Sequence, residues 1–233
     1  MQLWLNATNS AKFNPSNPTN ETYLTSWQDS GTANPHDANA SGNINVKPRY
    51  RTNIQNAKPA VYFDGASDLL TDNPFTVLQN ISGYTYFIVF KTNVINSDQI
   101  ITDMKSNSAE VKENYLALFS NKWTVGAAAG LATTSATPDT NFHVFTTVYD
   151  GTQANNASRL KLRIDGTAQT LTFTSNVNAT SNSTTTYLYI GTGTDGSNNF
   201  NGYIAELLIY NKTMSSSEIL STESYLKTKW ATP

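Results

Sequence analysis

The stretch YTYFIVFK, residues 84–91, limits most sharply what this chain can become. Read with the period-two alternation of a strand, it puts Tyr84, Tyr86, Ile88 and Phe90 on one face and Phe87 and Val89 on the other. A strand apolar on both faces must be covered on both sides, so it belongs in the middle of a layered sheet. FHVFTTVYDG has the same character and closes on a turn at Asp150-Gly151. In RLKLRIDGTAQTLTF, Leu160, Leu162 and Ile164 alternate with Lys161 and Arg163, and Asp165-Gly166 supplies the positive-φ residues of a hairpin turn. YLYIGT and YIAELLIYN complete a set of strands separated by Gly/Asn/Ser/Asp loops. This pattern predicts an all-β fold, a two-sheet antiparallel sandwich.

One helix interrupts it. In MSSSEILSTESYLKTKW, Ser215 is an N-cap and Glu218 completes a capping box, with Met214 and Ile219 placed as a hydrophobic staple. Ile219, Leu226 and Trp230 share one face, which predicts a helix lying on the sandwich. No repeat or inter-domain linker divides residues 1–233, so a single domain is expected.

Composition narrows the partners. Net charge is −2 and charged residues are 14% of the chain, against a usual share of about 25%. A neutral surface rich in Asn, Ser and Thr neutralises phosphates poorly, which excludes nucleic acid as a natural partner. Cysteine is absent, removing disulfides and thiolate metal sites. No run approaches the roughly 18 apolar residues of a membrane span, so no membrane insertion is expected. Met1 leads into QLWLNAT without a basic or apolar leader. The expectation is a virion component released on lysis, or an excised domain. Sequons at Asn6, Asn80, Asn156 and Asn182 follow from the Ser/Thr-rich composition.

Several stretches taken in order resemble the concanavalin A-like jelly roll, in the laminin-G-like branch of microbial and phage surface proteins. They are LWLNAT, WQDSGTANPHDAN, PRYRTNIQNAKPAVYFDGASDLL, YTYFIVFK, the DG hairpin, and IGTGTDGSNNFNGYIAELLIYNKTMSSSEI through YLKTKW. The resemblance runs from Trp4 to Trp230. It implies a jelly roll in which LWL pairs with GYIAELLIY. It leaves function open, because the fold hosts lectins, hydrolases, adhesion modules and structural spacers.

Glu206, alone in the apolar run GYIAELLIYN, is the most expensive residue of the chain, since a buried unpaired carboxylate forfeits its hydration. A glycosidase needs two carboxylates flanking the scissile bond. Ile204 and Leu208 occupy the neighbouring same-face positions of an unbroken strand, and no E-x-D-x-x-E occurs. The resemblance adds that Glu in an IAE context is frequent in non-catalytic relatives. Glu206 is therefore expected to be a structural hydrogen-bond anchor.

Two loops and one tryptophan carry ligand-binding chemistry. WQDSGTANPHDAN collects Trp27, Asp29, Asn34, His36 and Asp37, rings and planar polar groups that suit a sugar and oxygens that suit Ca²⁺. The same residues also make a self-bonded turn. GTGTDGSNNFNG offers Asp195, Asn198 and Asn199, either for ligand contact or for hairpin geometry with Phe200 tucked inward. Trp123 stands beside the small run Gly126, Ala127, Ala128 and Ala129, which either leaves room for a ligand or packs under the helix. His36 and His143 make no recognisable zinc site, and no G-x-S-x-G elbow accompanies them. Lys47, Arg49, Arg51 and Lys58 read as a solvated edge or loop.

The expected function is that of a non-catalytic, surface-exposed virion protein, a decoration or fibre domain with glycan adhesion. The alternative is a carbohydrate-binding module of a secreted or cell-surface protein, and a glycoside hydrolase ranks last for want of paired acids. Expected partners are cell-surface or extracellular polysaccharide, with capsid or tail proteins of the virion. The expected ligand residues are Trp27, Asp29, Asp37, Trp123, Asp195, Asn198 and Asn199. Ca²⁺ is the one metal these acids suggest.

Overall fold

The doubly apolar strand Gly83–Thr92 is sequestered on both faces. The computed structural model describes residues 1–31, 35–40, 42–106, 112–193 and 195–233. Among these, the strands form two antiparallel sheets packed as a sandwich, with the helix Ser216–Trp230 outside one of them. The nine-stranded sheet runs Thr167–Ala168, Leu160–Ile164, His143–Asp150, Gly83–Thr92, Asn201–Tyr210, Lys58–Asp64, Arg49–Gln55 and Thr22–Tyr23, and Leu3–Asn6 also pairs with Asn201–Tyr210. The ten-stranded sheet runs Leu171–Phe173, Gly130–Thr134, Lys122–Ala127, Asn114–Phe119, Gln99–Ser106, Thr185–Ile190 and Leu70–Asp72. It ends in the short strands Ala38–Asn39, Ser26–Trp27 and Phe13–Asn14.

The alternation read from YTYFIVFK sorts correctly between the layers. Phe90 meets Trp123 and Phe145 edge-on, at ring separations of 5.5 and 5.0 Å. The Tyr86 hydroxyl lies 3.2 Å from Thr102 Oγ1 of the opposite sheet. The Asp165-Gly166 turn has φ values of 50° and 84°, as the DG hairpin requires. Leu3, Trp4, Leu5 and Asn6 stand opposite Ile209, Leu208, Leu207 and Glu206, the pairing that the resemblance implied.

Strand Asn201–Tyr210 contains a feature absent from the sequence reading. Ile204 is opposite Phe90, yet Glu206 is opposite Val89, so Ala205 is an extra residue in a β-bulge. A bulge re-aims the side chains that follow it. Ile204 faces inward with Phe90, whereas Glu206 joins Phe87 and Val89 on the outer face, where the helix lies. Ile204 is thus not a same-face neighbour of Glu206.

The helix keeps its sequence signals. Ser215 and Glu218 form a complete capping box, and Ile219, Leu226 and Trp230 are buried, together with Glu223. Glu223 is paired with Arg163 Nε at 2.8 Å. At the other end, Gln55 Nε2 donates to the carbonyl of Trp230 and Asn56 Nδ2 to that of Lys229, covering carbonyls that the helix leaves open. Ser215→Ala should lower stability by about 1 kcal/mol, measured by urea denaturation.

In the basic stretch, Arg49 and Arg51 both pair with Glu21 and lie over the rings of Tyr23 and Tyr62. These contacts make them parts of an edge of the nine-stranded sheet.

Candidate functional site

The structure turns most of the residues singled out in the sequence into scaffold. Trp27 is 0% exposed and stacks on Phe13 with ring centroids 5.6 Å apart. Trp123 is 3% exposed, wedged between the sheets against Phe90 and Phe145. Neither indole presents a face to solvent, so neither is a stacking platform. The correction extends to the small residues beside Trp123, because the helix covers the other sheet and does not overlie them.

Asp29 is buried and works as a loop staple: its Oδ1 accepts from the backbone of Trp4 and Gly31, its Oδ2 from His36. Asp37 Oδ1 accepts from the Asp29 amide at 2.9 Å. Asn34 lies outside the described residues. In the second loop, Asp195 Oδ1 accepts from Ser197 N and Oγ, and Asn199 Nδ2 donates to the Ala66 carbonyl. Asn198 has φ 54° and its carbonyl accepts from Ile100 N at 2.7 Å, while Phe200 is buried. The two loops keep Asx and hairpin geometry and do not converge into one site. Among the described residues no three His, Asp or Glu side chains converge on a metal position. Asp29 thus commits both oxygens to backbone amides, while Asp37 and Asp195 each commit Oδ1.

Glu206 is fully buried, and both of its oxygens are engaged. Oε1 accepts from Trp4 Nε1 at 2.7 Å, while Oε2 accepts from Trp230 Nε1 and Lys229 Nζ, each at 2.7 Å. It is the structural anchor expected, fastening the first strand and the last helix to the sheet.

The surface with the right chemistry lies elsewhere, on the outward face of the ten-stranded sheet. Strand alternation sends Trp123, Val125, Leu116, Leu118, Met104 and Leu188 into the main core. Their neighbours Ile100, Tyr115 and Ala117 form a separate apolar cluster on the other side, flanked by Phe119 and Leu131. Next to it, Asp103 stands in register with Tyr189, and Tyr189 with Thr71. Tyr187 and Tyr189, two residues apart on one strand, are half-buried with rings 5.9 Å apart and tilted by 32°. Lys112 bridges the clusters: its Nζ is 3.5 Å from Asp103 Oδ2 and 4.5 Å from the Tyr115 ring centroid. Gly126, paired with Tyr115, admits this closure, since a Cβ there would approach Lys112, Tyr115 and Leu131 to 3.0 Å. Burial, then Tyr187 and Asp103, push the Tyr189 phenol up.

Tyr187, Tyr189 and Lys112 are half-buried and reach the surface, whereas Tyr115 and Asp103 are buried beneath it. The two accessible rings can stack on the C–H face of a sugar while Lys112, held by Asp103, donates to its hydroxyls. The sequence held a signal for this set: NYLALF and TTYLYI place their aromatics on one face of the alternation and their leucines on the other, so with the leucines in the core the rings face outward.

The buried acids also determine how the fold responds to pH. Burial raises Glu113 to about 7, and burial with the nearby Asp64 charge raises Asp68 to about 7. The Asp72 hydrogen bond, 2.8 Å long, raises His36 against the effect of burial. Burial lowers His143, but hydrogen bonds to Asp165 and Asp139 outweigh it and leave it raised. Each of these groups holds its proton more tightly when folded, so its contribution is present at low pH and lost as pH rises through the folded pKa. Asp139, Asp150, Asp195 and Glu218 are lowered and act oppositely, losing their contribution in acid. Stability should therefore peak at about pH 4–4.5, where the lowered acids are ionised and the raised ones are still protonated in both states, and fall from there to about pH 7–8. Glu113→Gln should raise stability at pH 8.5 by about 1–3 kcal/mol and flatten the decline, read from denaturation midpoints across pH.

Solved structures sharing this architecture are distant in sequence. Trypanosoma rangeli sialidase bound to 2,3-difluoro-KDN aligns with TM-score 0.63 at 13% identity, over 98% of this chain and 33% of the sialidase. The present chain thus spans about a third of that enzyme. A heptameric SAP-like pentraxin from Limulus polyphemus aligns with TM-score 0.54 at 10% identity, over 70% of this chain and 81% of the pentraxin. Botulinum neurotoxin type C gives TM-score 0.56 at 14% identity, over 96% and 51%. At such identities these likenesses show the fold alone. No curated protein sequence matches significantly. Residues 60–220 match the family model Laminin_G_3, described as concanavalin A-like lectin/glucanases superfamily. That match covers well over half of the sequence, and the chain belongs to the Laminin_G_3 family of the concanavalin A-like superfamily.

Proposed function

We propose that this domain is a non-catalytic carbohydrate-recognition module, binding polysaccharide on the outward face of the ten-stranded sheet. The observation that carries the reading is the half-buried Tyr187–Tyr189 pair on the outer face of the ten-stranded sheet, with Lys112 near it held by the buried Asp103. Glu206, the carboxylate a hydrolase reading would need, is occupied by a lysine and two indoles, which supports recognition without turnover. The rings and Lys112 need no metal to contact a sugar, and Asp29 and Asp37 spend oxygens on loop amides, so on this reading binding survives EDTA.

A weakly charged surface rich in amides and hydroxyls suits a domain displayed outside the cell. The setting we propose is the outer surface of a phage particle; a module within a secreted or cell-surface protein would use the same face. The test is a glycan array probed with wild type and Tyr189→Ala, with and without EDTA. Sialylated glycans belong on it, because Trypanosoma rangeli sialidase binds sialic acid and cell entry of botulinum neurotoxin type C depends on two ganglioside molecules. Retained wild-type binding in EDTA and lost variant binding support the proposal; release of reducing ends from the bound glycan contradicts its non-catalytic part.

A further inference from the structure

The anchor around Glu206 contains more than an ion pair. Lys229 Nζ lies 2.9 Å from Asn6 Oδ1 and 2.7 Å from Glu206 Oε2. Asn6 Oδ1 also accepts from Thr8 N at 3.0 Å and Thr8 Oγ1 at 2.8 Å. An amide carbonyl with three donors on its oxygen is polarised toward attack, in the manner of an oxyanion hole. Asn6 and Glu206 are buried, and the lysine side chain is only 12% exposed, enclosed by Trp230 and Tyr225 with ring centroids 5.2 and 5.4 Å from Nζ. A nucleophile, a polarised amide and a carboxylate positioned as proton relay thus share one largely dry pocket.

We propose that Lys229 and Asn6 form an intramolecular isopeptide bond, with Glu206 as the proton relay. Lys229 passes a proton to Glu206 and its freed amine attacks Asn6 Cγ. The Nζ–Cγ bond forms, and the negative charge gathering on Oδ1 is held by Thr8 N and Oγ1. Glu206 delivers the proton to Nδ2, and the Cγ–Nδ2 bond breaks. Two protons leave Lys229 in all and both end on the departing nitrogen, so ammonium is released and Glu206 remains a carboxylate. No atom changes oxidation state and no co-reactant is consumed. The product ties the first strand to the last helix, closing nearly the whole chain into a covalent loop. Holding the reacting groups in contact is what makes such a step accessible without an external catalyst.

Intact-mass spectrometry of the purified full chain tests this. The major wild-type species should weigh one ammonia less than the sequence, and tandem spectra of a digest should contain a branched peptide joining Asn6 to Lys229. Lys229→Arg and Asn6→Ala should each restore the full mass. Should either variant fold poorly, the wild-type branched peptide still decides. Full sequence mass in wild type after prolonged incubation overturns the proposal. So does ammonia loss that maps to another residue, such as Asn201 preceding Gly202.

Discussion

Glu206→Gln should destabilise this domain by about 3–5 kcal/mol, among the largest effects of any near-isosteric change in the molecule. The amide keeps the shape of the carboxylate but not its charge. Lys229, largely buried, would lose its counter-ion, and the indoles of Trp4 and Trp230 would exchange a charged acceptor for a neutral one. Breaking a buried pair from one side costs more than the pair contributes, because the remaining charge stays desolvated. A double-mutant cycle run in an Asn6→Ala background, where Lys229 stays a free ammonium, separates these contributions from the covalent tie. Glu206→Gln combined with Lys229→Met should recover a large part of the loss, since both charges then disappear together. Urea denaturation of the four proteins provides the measurement. A Glu206→Gln cost below about 1 kcal/mol would mean that the carboxylate is not the fastening described. The same substitution removes the proton relay, so the Lys229–Asn6 bond should be absent in the variant.

Tyr189→Ala should weaken glycan binding by about 30-fold or more, the equivalent of roughly 2 kcal/mol for truncating a central aromatic contact. Tyr189 stacks beside Tyr187 and stands in register with Asp103, so its loss removes part of the ring platform and exposes the acid–lysine pair. Asp103→Asn should act in the same direction, because the buried carboxylate holds Lys112 in place beside the rings and a neutral amide holds an ammonium less strongly. The half-buried Tyr189 is outside the main core, so its variant should keep the wild-type fold, checked by circular dichroism and thermal midpoint. Trp27→Ala should behave oppositely, costing about 3–5 kcal/mol of stability as a core truncation. Isothermal titration with the strongest array ligand compares the three. Unchanged affinity in both Tyr189→Ala and Asp103→Asn would move the site away from this face.

The fold was legible wherever the deciding chemistry is local. Alternation in YTYFIVFK, the Asp165-Gly166 turn and the Ser215–Glu218 capping box each depend on a few adjacent residues, and each stands where it was expected. The bulge at Ala205 was not legible, because nothing within IAE distinguishes a regular strand from a bulged one. Its cause is remote: only by turning outward does Glu206 meet Lys229 and Trp230. The two tryptophans misled for a related reason. Each follows a polar residue in a polar stretch, which resembles an exposed ring, but Phe13, Phe90 and Phe145 on distant strands close over them. The candidate site was overlooked because Asp103, Tyr115 and Tyr189 lie on three strands that only the register brings together.

A nuclear magnetic resonance titration of the wild-type domain with its strongest array ligand maps the site without altering it. Perturbed amides should cluster at Lys112, Tyr115, Tyr187, Tyr189 and Thr71, across the outward face of the ten-stranded sheet. Perturbations gathered instead at the cleft around Asn80, Asp150 and Thr213, or at the groove formed by Trp4, Tyr210 and Tyr225, would contradict this assignment of the binding face.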